Sequence, residues 1–219
     1  QAEDREEEAG EETEEEPEEG SGENTEEEEE LVFTEKDEDN LFTRRKPPIT
    51  VNWKSLKKIN KDIVGWLYIG SLDISYPVVH GSDDEYYLHR TFDRVELFAG
   101  SIFLDYQNRG DFSDLNTVVY GHNMKDDSMF GHLSKFLDED FYKKHPSFTL
   151  ILPDGYYPCE IISVFKTTTY GFAYNRTHPG TVEEYMQFVR DCQAQSMYDT
   201  GVTVTENDNI VTLSTCDYS

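Results

Sequence analysis

A cysteine and a histidine, each at the end of an apolar run, are the residues of this chain best placed for covalent chemistry. Cys216 follows Asn209-Ile210-Val211-Thr212-Leu213-Ser214-Thr215, a β-branched stretch that reads as a strand, and opens into Asp217-Tyr218-Ser219. A thiol at a strand end can face a groove without being swallowed by the core. It becomes a nucleophile when a neighbouring base or cation populates its thiolate. His122 has the same placement, at the polar exit Gly121-His122-Asn123 of the strand-like run Thr117-Val118-Val119-Tyr120. One sheet can bring two such ends together although they are far apart in the chain. Ser214 and Thr215 precede the cysteine and are candidates to line a groove or hydrogen-bond a substrate, and they are equally explained as strand residues. Taken singly, each group has an ordinary reading: a small buried thiol, a satisfied loop histidine. His80, His89, His132, His145 and His178 sit in no comparable context and read as structural or surface residues.

Several elements must position this pair. Trp53, Leu56 and Ile59 recur every three residues, which suits a short helix. Gly65 to Ile69 and Asp73 to Val79 read as strands, with Pro77 favouring an edge or a bend. Ser82-Asp83-Asp84-Glu85 has the spacing of a capping box and predicts a helix to about Thr91. Gly100 to Leu104 and Asn116 to Tyr120 are further strands, separated by the polar turn Asn108 to Asp114. Met129 to Phe136 and Asp138 to Lys144 read as two short helices. Phe148 to Leu152 and Tyr156 to Thr167 form a strand pair about the turn Pro153-Asp154-Gly155. A second capping box, Thr181-Val182-Glu183-Glu184, leads into Val182, Tyr185, Met186, Val189 and Cys192 on one helical face, so Cys192 is expected in the core. About seven short strands, few helices and no βαβ alternation predict a mainly β fold with inserted helices, a barrel or a sandwich.

The charge is concentrated at one end. Residues 1–40 hold 22 acidic and two basic residues, so this stretch carries most of the net −27. From Gln1 to Glu30 there is no Val, Ile, Leu, Met or aromatic residue, and nothing to bury against the entropy of ordering. Residues 1–48 are therefore expected as an acidic, disordered spacer and residues 49–219 as the folded domain. The negative balance and the lack of a basic stripe argue against nucleic acid as a partner. No run of 18 apolar residues is present; the chain starts at Gln1, and a membrane anchor is expected N-terminal to it. Cys159, Cys192 and Cys216 form an odd set without CxxC spacing, which suits neither a zinc site nor a disulfide scaffold. Asp105, Asp111 and Asp114 could gather calcium, but no EF-hand pattern is present and solvated turn carboxylates are the expected reading.

The local strings go further than the spacing. Val119-Tyr120-Gly121-His122-Asn123-Met124, followed by Ser128-Met129-Phe130 and Leu133, resembles the histidine segment of sortases, and Thr212-Leu213-Ser214-Thr215-Cys216 resembles their cysteine segment. Asn60 to Tyr68 is similar to the family's entry strand and Tyr76-Pro77-Val78-Val79 to its second. The helix from Thr181 to about Gln195 resembles the insertion that marks class B. The resemblance covers roughly residues 50–219 in the right order. It implies a closed β-barrel of about eight strands and a cysteine transpeptidase needing no cofactor and no metal. Cys216 would attack the threonine carbonyl of a C-terminal, Asn-Pro-x-Thr-like sorting signal, and His122 would protonate the departing amine. An amine of peptidoglycan or of a pilin would then resolve the thioacyl enzyme, at the extracellular face of the membrane or in the cell wall. Sortases also place an arginine on the strand after the cysteine. Arg90, Arg94, Arg109, Arg176 and Arg190 occupy the wrong part of the order, so a final strand beyond Ser219 is expected to carry it. Two other readings remain: a sortase-like peptide-binding protein impaired in catalysis, and a cysteine protease that only hydrolyses.

Overall fold

The computed structural model describes residues 48–216. The acidic tract, the expected linker except for Pro48, and residues 217–219 lie outside the described residues. Helix α1 (Trp53–Ile59) starts where the Asn52 side chain accepts the Ser55 N–H, and it leads into strand β1 (Ile63–Ile69). Strands β2 (Ile74–His80), β3 (Ile102–Leu104) and β4 (Asn116–Tyr120) follow. Helix α2 (Glu139–Lys144) is capped by Asp138 and precedes the hairpin of β5 (Ser147–Leu152) and β6 (Gly155–Glu160). Helices α3 (Phe172–Asn175) and α4 (Val182–Gln195) lead to the last strand, β7 (Ile210–Ser214).

The seven strands form one curled sheet in the order β6-β5-β1-β2-β3-β4-β7. Most neighbours are antiparallel, but β2 with β3 and β4 with β7 are parallel. Parallel partners need long crossovers, and the hairpin and both later helices lie in the crossover between β4 and β7. Leu67 and Ile69 of β1 join Val78, Ile102, Leu104, Val119, Phe130 and Leu150 in the main core, while Ile63, beyond a register shift, packs with Val79, Tyr87 and Phe103 in a second cluster. Pro77 lies where β2 is paired with β1 alone, because β3 begins opposite Val78, so its missing N–H costs no bond to β3. Among the described residues β6 bonds only to β5 and β7 only to β4, and the closing strand of the expected barrel is not among them.

Several sequence expectations hold. Asn116 to Tyr120 is β4 as predicted, and Thr181 caps α4, with Tyr185, Val189 and Cys192 buried beneath it. Others change. The helix expected from Ser82 to Thr91 is only a 3-10 turn at Tyr87–His89, since Asp83, not Ser82, accepts the N–H groups of Glu85 and Tyr86. The helix expected from Met129 to Phe136 is reduced to a 3-10 stretch, Leu133–Leu137, because Asp127 and Met129 both adopt positive φ. The strand expected to reach Thr167 stops at Glu160.

The parallel β4–β7 contact is reinforced by buried amides. Asn116, 1% exposed, donates from Nδ2 to Thr177 O at 2.8 Å and accepts the Thr212 hydroxyl at 2.8 Å. Asn108 donates to Asn116 O and accepts the Val118 N–H. Removing one partner from such a set leaves buried polar groups unpaired. Asn116→Ala should therefore lower the unfolding free energy by about 2–3 kcal/mol in a urea titration, whereas a loss under 0.5 kcal/mol would mean that water replaces the lost bonds.

Candidate active site

The register of β4 and β7 brings the two strand exits side by side. Asn116 to Tyr120 pair in order with Ile210 to Ser214, and the next residues stay bonded. Gly121 donates its N–H to Ser214 O at 3.2 Å, and Thr215 Oγ1 donates to Gly121 O at 2.8 Å. Asn123 Nδ2 then donates to Cys216 O at 2.8 Å. Because the strands are parallel, both chains leave the sheet at the same end, and the two segments stay bonded as far as Asn123 and Cys216. Residue 121 must be glycine for this to happen, since a Cβ there would lie 2.5 Å from Ile102 Cδ1 and 2.7 Å from the Phe130 ring.

The imidazole of His122 is anchored. Its Nε2 lies 2.9 Å from Leu88 O. A carbonyl can only accept, so Nε2 carries a proton and Nδ1 is the nitrogen left to exchange one. Leu88 belongs to the segment where the capping box predicts a helix, and there the carbonyls of three successive residues go to distant groups. Tyr87 O accepts Ser101 N–H, Leu88 O accepts His122, and His89 O accepts Leu97 N–H. A helix ending near Thr91 would take only Tyr87 O into its ladder and would leave Leu88 O and His89 O free. The carbonyl of Leu88 is held from behind by Gly100, whose φ of +58° suits glycine and whose missing side chain leaves room that a Cβ would fill by colliding with Leu88 O. His89, read from the sequence as a structural or surface residue, is exposed and its ring stacks on that of His122, 5.8 Å between centroids.

The three cysteines separate by environment. Cys192 is buried under α4 and Cys159 is half-buried on β6; desolvation pushes their thiols up to about 12 and about 11. Cys216 is exposed, at the rim of a cavity of about 960 Å3 that lies between the two sheet edges and is lined by Leu150, Leu152, Ile161, Val211 and Leu213.

Of the weaker sequence candidates, Ser214 faces that cavity and its Oγ lies 2.8 Å from Tyr174 OH, a partner on α3 that the sequence did not reveal. Thr215 spends its hydroxyl proton on Gly121 O and so clamps the two exits. Asp105 is buried, not a solvated turn carboxylate: it accepts Gln107 N–H and Tyr120 OH, and His178 Nε2 lies 3.4 Å away. Burial and the Asp105 carboxylate push the Tyr120 hydroxyl up, keeping it a donor. Asp111 and Asp114 are bonded to Ser113, Arg109 and Asn108 within their own turn. Among the described residues, no cluster of three or more His, Cys, Asp or Glu could hold a metal. Arg90, Arg94, Arg109 and Arg176 pair with Glu96, Asp62, Asp111 and Asp191, and Arg190 bonds Gln187, so each has a partner away from Cys216.

These environments make two predictions. Iodoacetamide at pH 8 should alkylate Cys216 alone in the native protein and all three thiols after unfolding, because roughly one Cys159 thiol in a thousand is ionised at that pH; rapid native labelling of Cys159, read by peptide mass mapping, would contradict the desolvation. Gly100→Ala should displace Leu88 O and lower turnover of any His122-dependent reaction by about tenfold or more, read by steady-state kinetics.

The match to known proteins covers this same region. The sortase domain matches residues 67–219. A sortase B of Listeria monocytogenes is 45% identical over 164 residues, 75% of this chain and 66% of that protein's length. A sortase B of Staphylococcus aureus is 36% identical over 177 residues, covering 81% of this chain and 72% of the relative. A crystal structure of a Staphylococcus aureus sortase B–substrate complex superposes with a TM-score of 0.70 at 39% identity, over 76% of this chain and 77% of that one. With its seven-stranded curled sheet and its paired strand exits at His122 and Cys216, the chain belongs to the sortase family of cysteine transpeptidases, in class B.

Proposed function

We propose that the protein cleaves a C-terminal, Asn-Pro-x-Thr-like sorting signal and transfers the released acyl group to an amine of peptidoglycan or of a pilin. The observation that carries this reading is the parallel β4–β7 pairing, whose exits stay bonded from Gly121 to Asn123 and from Ser214 to Cys216, with His122 anchored on Leu88 O and Cys216 exposed at the rim of a cavity. A Staphylococcus aureus sortase B has been crystallised with a substrate, which supports substrate binding at the corresponding site here.

In this scheme Cys216 Sγ, as thiolate, attacks the carbonyl carbon of the signal's threonine and forms a C–S bond. The peptide C–N bond then breaks, and the departing nitrogen takes its proton from His122 Nδ1. The acceptor amine attacks the thioacyl carbon, gives up a proton to the now neutral Nδ1, and expels Cys216. Nε2, held on Leu88 O, keeps its proton throughout. Tyr174 and Ser214 offer hydroxyls at the cavity end nearest Cys216, where a peptide backbone would lie. The acidic tract of residues 1–40 would be repelled by anionic lipid and wall polymers, which suits a spacer holding the domain off the outer face of the membrane.

The test is a cleavage assay on the full-length protein with an Asn-Pro-x-Thr peptide, with and without added amine, read by mass spectrometry. Amine-dependent transfer product and a thioacyl adduct are expected. Cys216→Ala should abolish both, and His122→Ala should lower transfer by roughly 10²–10⁴-fold. Product formed equally well without amine would instead identify a hydrolase, and peptide binding without any adduct would identify a binding protein.

A further inference from the structure

Phe98 leaves 66% of its surface in water, and its neighbours Val95 and Leu97 are also exposed. Solvent exposure gives a phenyl ring no hydrophobic stabilisation, yet this one is held firmly. Arg90 and Glu96 form an isolated β-bridge and a 2.8 Å ion pair. Thr91 N–H bonds Val95 O, Leu97 N–H bonds His89 O, and Gly100 N–H bonds Leu97 O. The Ser101 hydroxyl, in turn, donates to Arg90 O at 2.7 Å.

The ring so presented lies 5.5 Å from the ring of His122, centroid to centroid, with the planes 17° apart. The ring of His89 lies 5.8 Å from His122 at 24°, and 6.1 Å from Phe98 at 25°. Three nearly parallel rings therefore cluster at one point, and one of them is the proton carrier of the proposed reaction. The hydrogen bond from Nε2 to Leu88 O fixes one atom of the imidazole but leaves rotation about that bond open, and the terminal torsion of histidine is a broad one. A flat ring beside it closes that freedom.

We propose that Phe98, with His89 behind it, is a positioning residue: the stack holds the His122 imidazole in the plane that keeps Nε2 on Leu88 O and Nδ1 in place for proton transfer. This rests on the reading of His122 as the general acid and base. The exposed loop from Arg90 to Gly100 thereby has a function, and its apolar tip serves the histidine rather than the core.

The experiment compares the full-length protein with Phe98→Leu, which keeps bulk but loses the flat ring, and Phe98→Tyr, which keeps the ring. Two readouts are taken: the NMR signals of the His122 ring, and kcat and KM for amine-dependent peptide transfer. Phe98→Leu should shift the His122 carbon-bound protons downfield as the ring current is lost, and broaden the Nε2–H signal. Its kcat should fall roughly five- to tenfold, the worth of an aromatic stack, with KM within about twofold. Phe98→Tyr should restore both. A raised KM with unchanged kcat and unshifted His122 signals would make Phe98 a substrate contact and overturn the proposal, as would Phe98→Leu matching the parent in both readouts. Should the parent protein transfer no peptide, the NMR comparison alone decides the stack, so a failure of the proposed reaction is distinguishable from a failure of the positioning role.

Discussion

Parallel pairing of β4 with β7 is the constraint from which the rest of the site follows. An antiparallel partner would send the chain that carries His122 and the chain that carries Cys216 out of opposite ends of the sheet. The parallel pair sends both out of the same end, and the Asn116-to-Ile210 register fixes which residues meet there. That arrangement demands a long crossover, and the chain fills it with α2, the β5–β6 hairpin, α3 and α4. The crossover also delivers Tyr174 beside Ser214 and Thr177 beside Asn116. The connection that the topology requires thus furnishes part of the site's wall and part of the bonding that holds β4 and β7 together.

The second organising feature is a competition for carbonyl oxygens between Tyr87 and His89. Local sequence favours a helix there, but a helix ending near Thr91 would leave Leu88 O and His89 O without partners of its own. The fold assigns those three oxygens to Ser101, His122 and Leu97 instead. The local preference for a helical turn is modest, on the order of 1 kcal/mol for a cap, and three tertiary hydrogen bonds together with the burial of Tyr87 outweigh it. Gly100 completes the arrangement by allowing the chain to pass close behind Leu88 O. Local helical structure is given up where the histidine must be anchored.

The cysteines illustrate how environment alone divides one residue type into different chemistries. Cys159 and Cys192 differ from Cys216 in no covalent respect, yet burial holds the first two as neutral thiols while the third stands in solvent at the cavity rim. Asp105 shows the same principle from the acidic side. The polar turn that contains it reads as solvated, but the carboxylate is buried because it has Gln107 N–H and Tyr120 OH to bond.

Much of this was legible in the chain itself. Period-two alternation marks β1, a β-branched run marks β7, and a Thr-x-x-Glu box with an apolar face marks α4 with Cys192 on its inner side; these signals are local, and local chemistry suffices to decide them. The motif strings around His122 and Cys216 likewise named the family. What a linear string does not encode is which distant groups compete for a given oxygen or ring face. The 3-10 turn at Tyr87–His89, the burial of Asp105, the Ser214–Tyr174 contact and the stack of His89 and Phe98 on His122 each depend on residues brought together from separate stretches of chain. The sequence by itself determined the strands β4 and β7 and the motifs at their exits, because periodicity and motif lie along the backbone. Only the tertiary structure decided how the pair is held, because hydrogen bonds and ring contacts are made in space between segments whose spacing in the chain carries no signal.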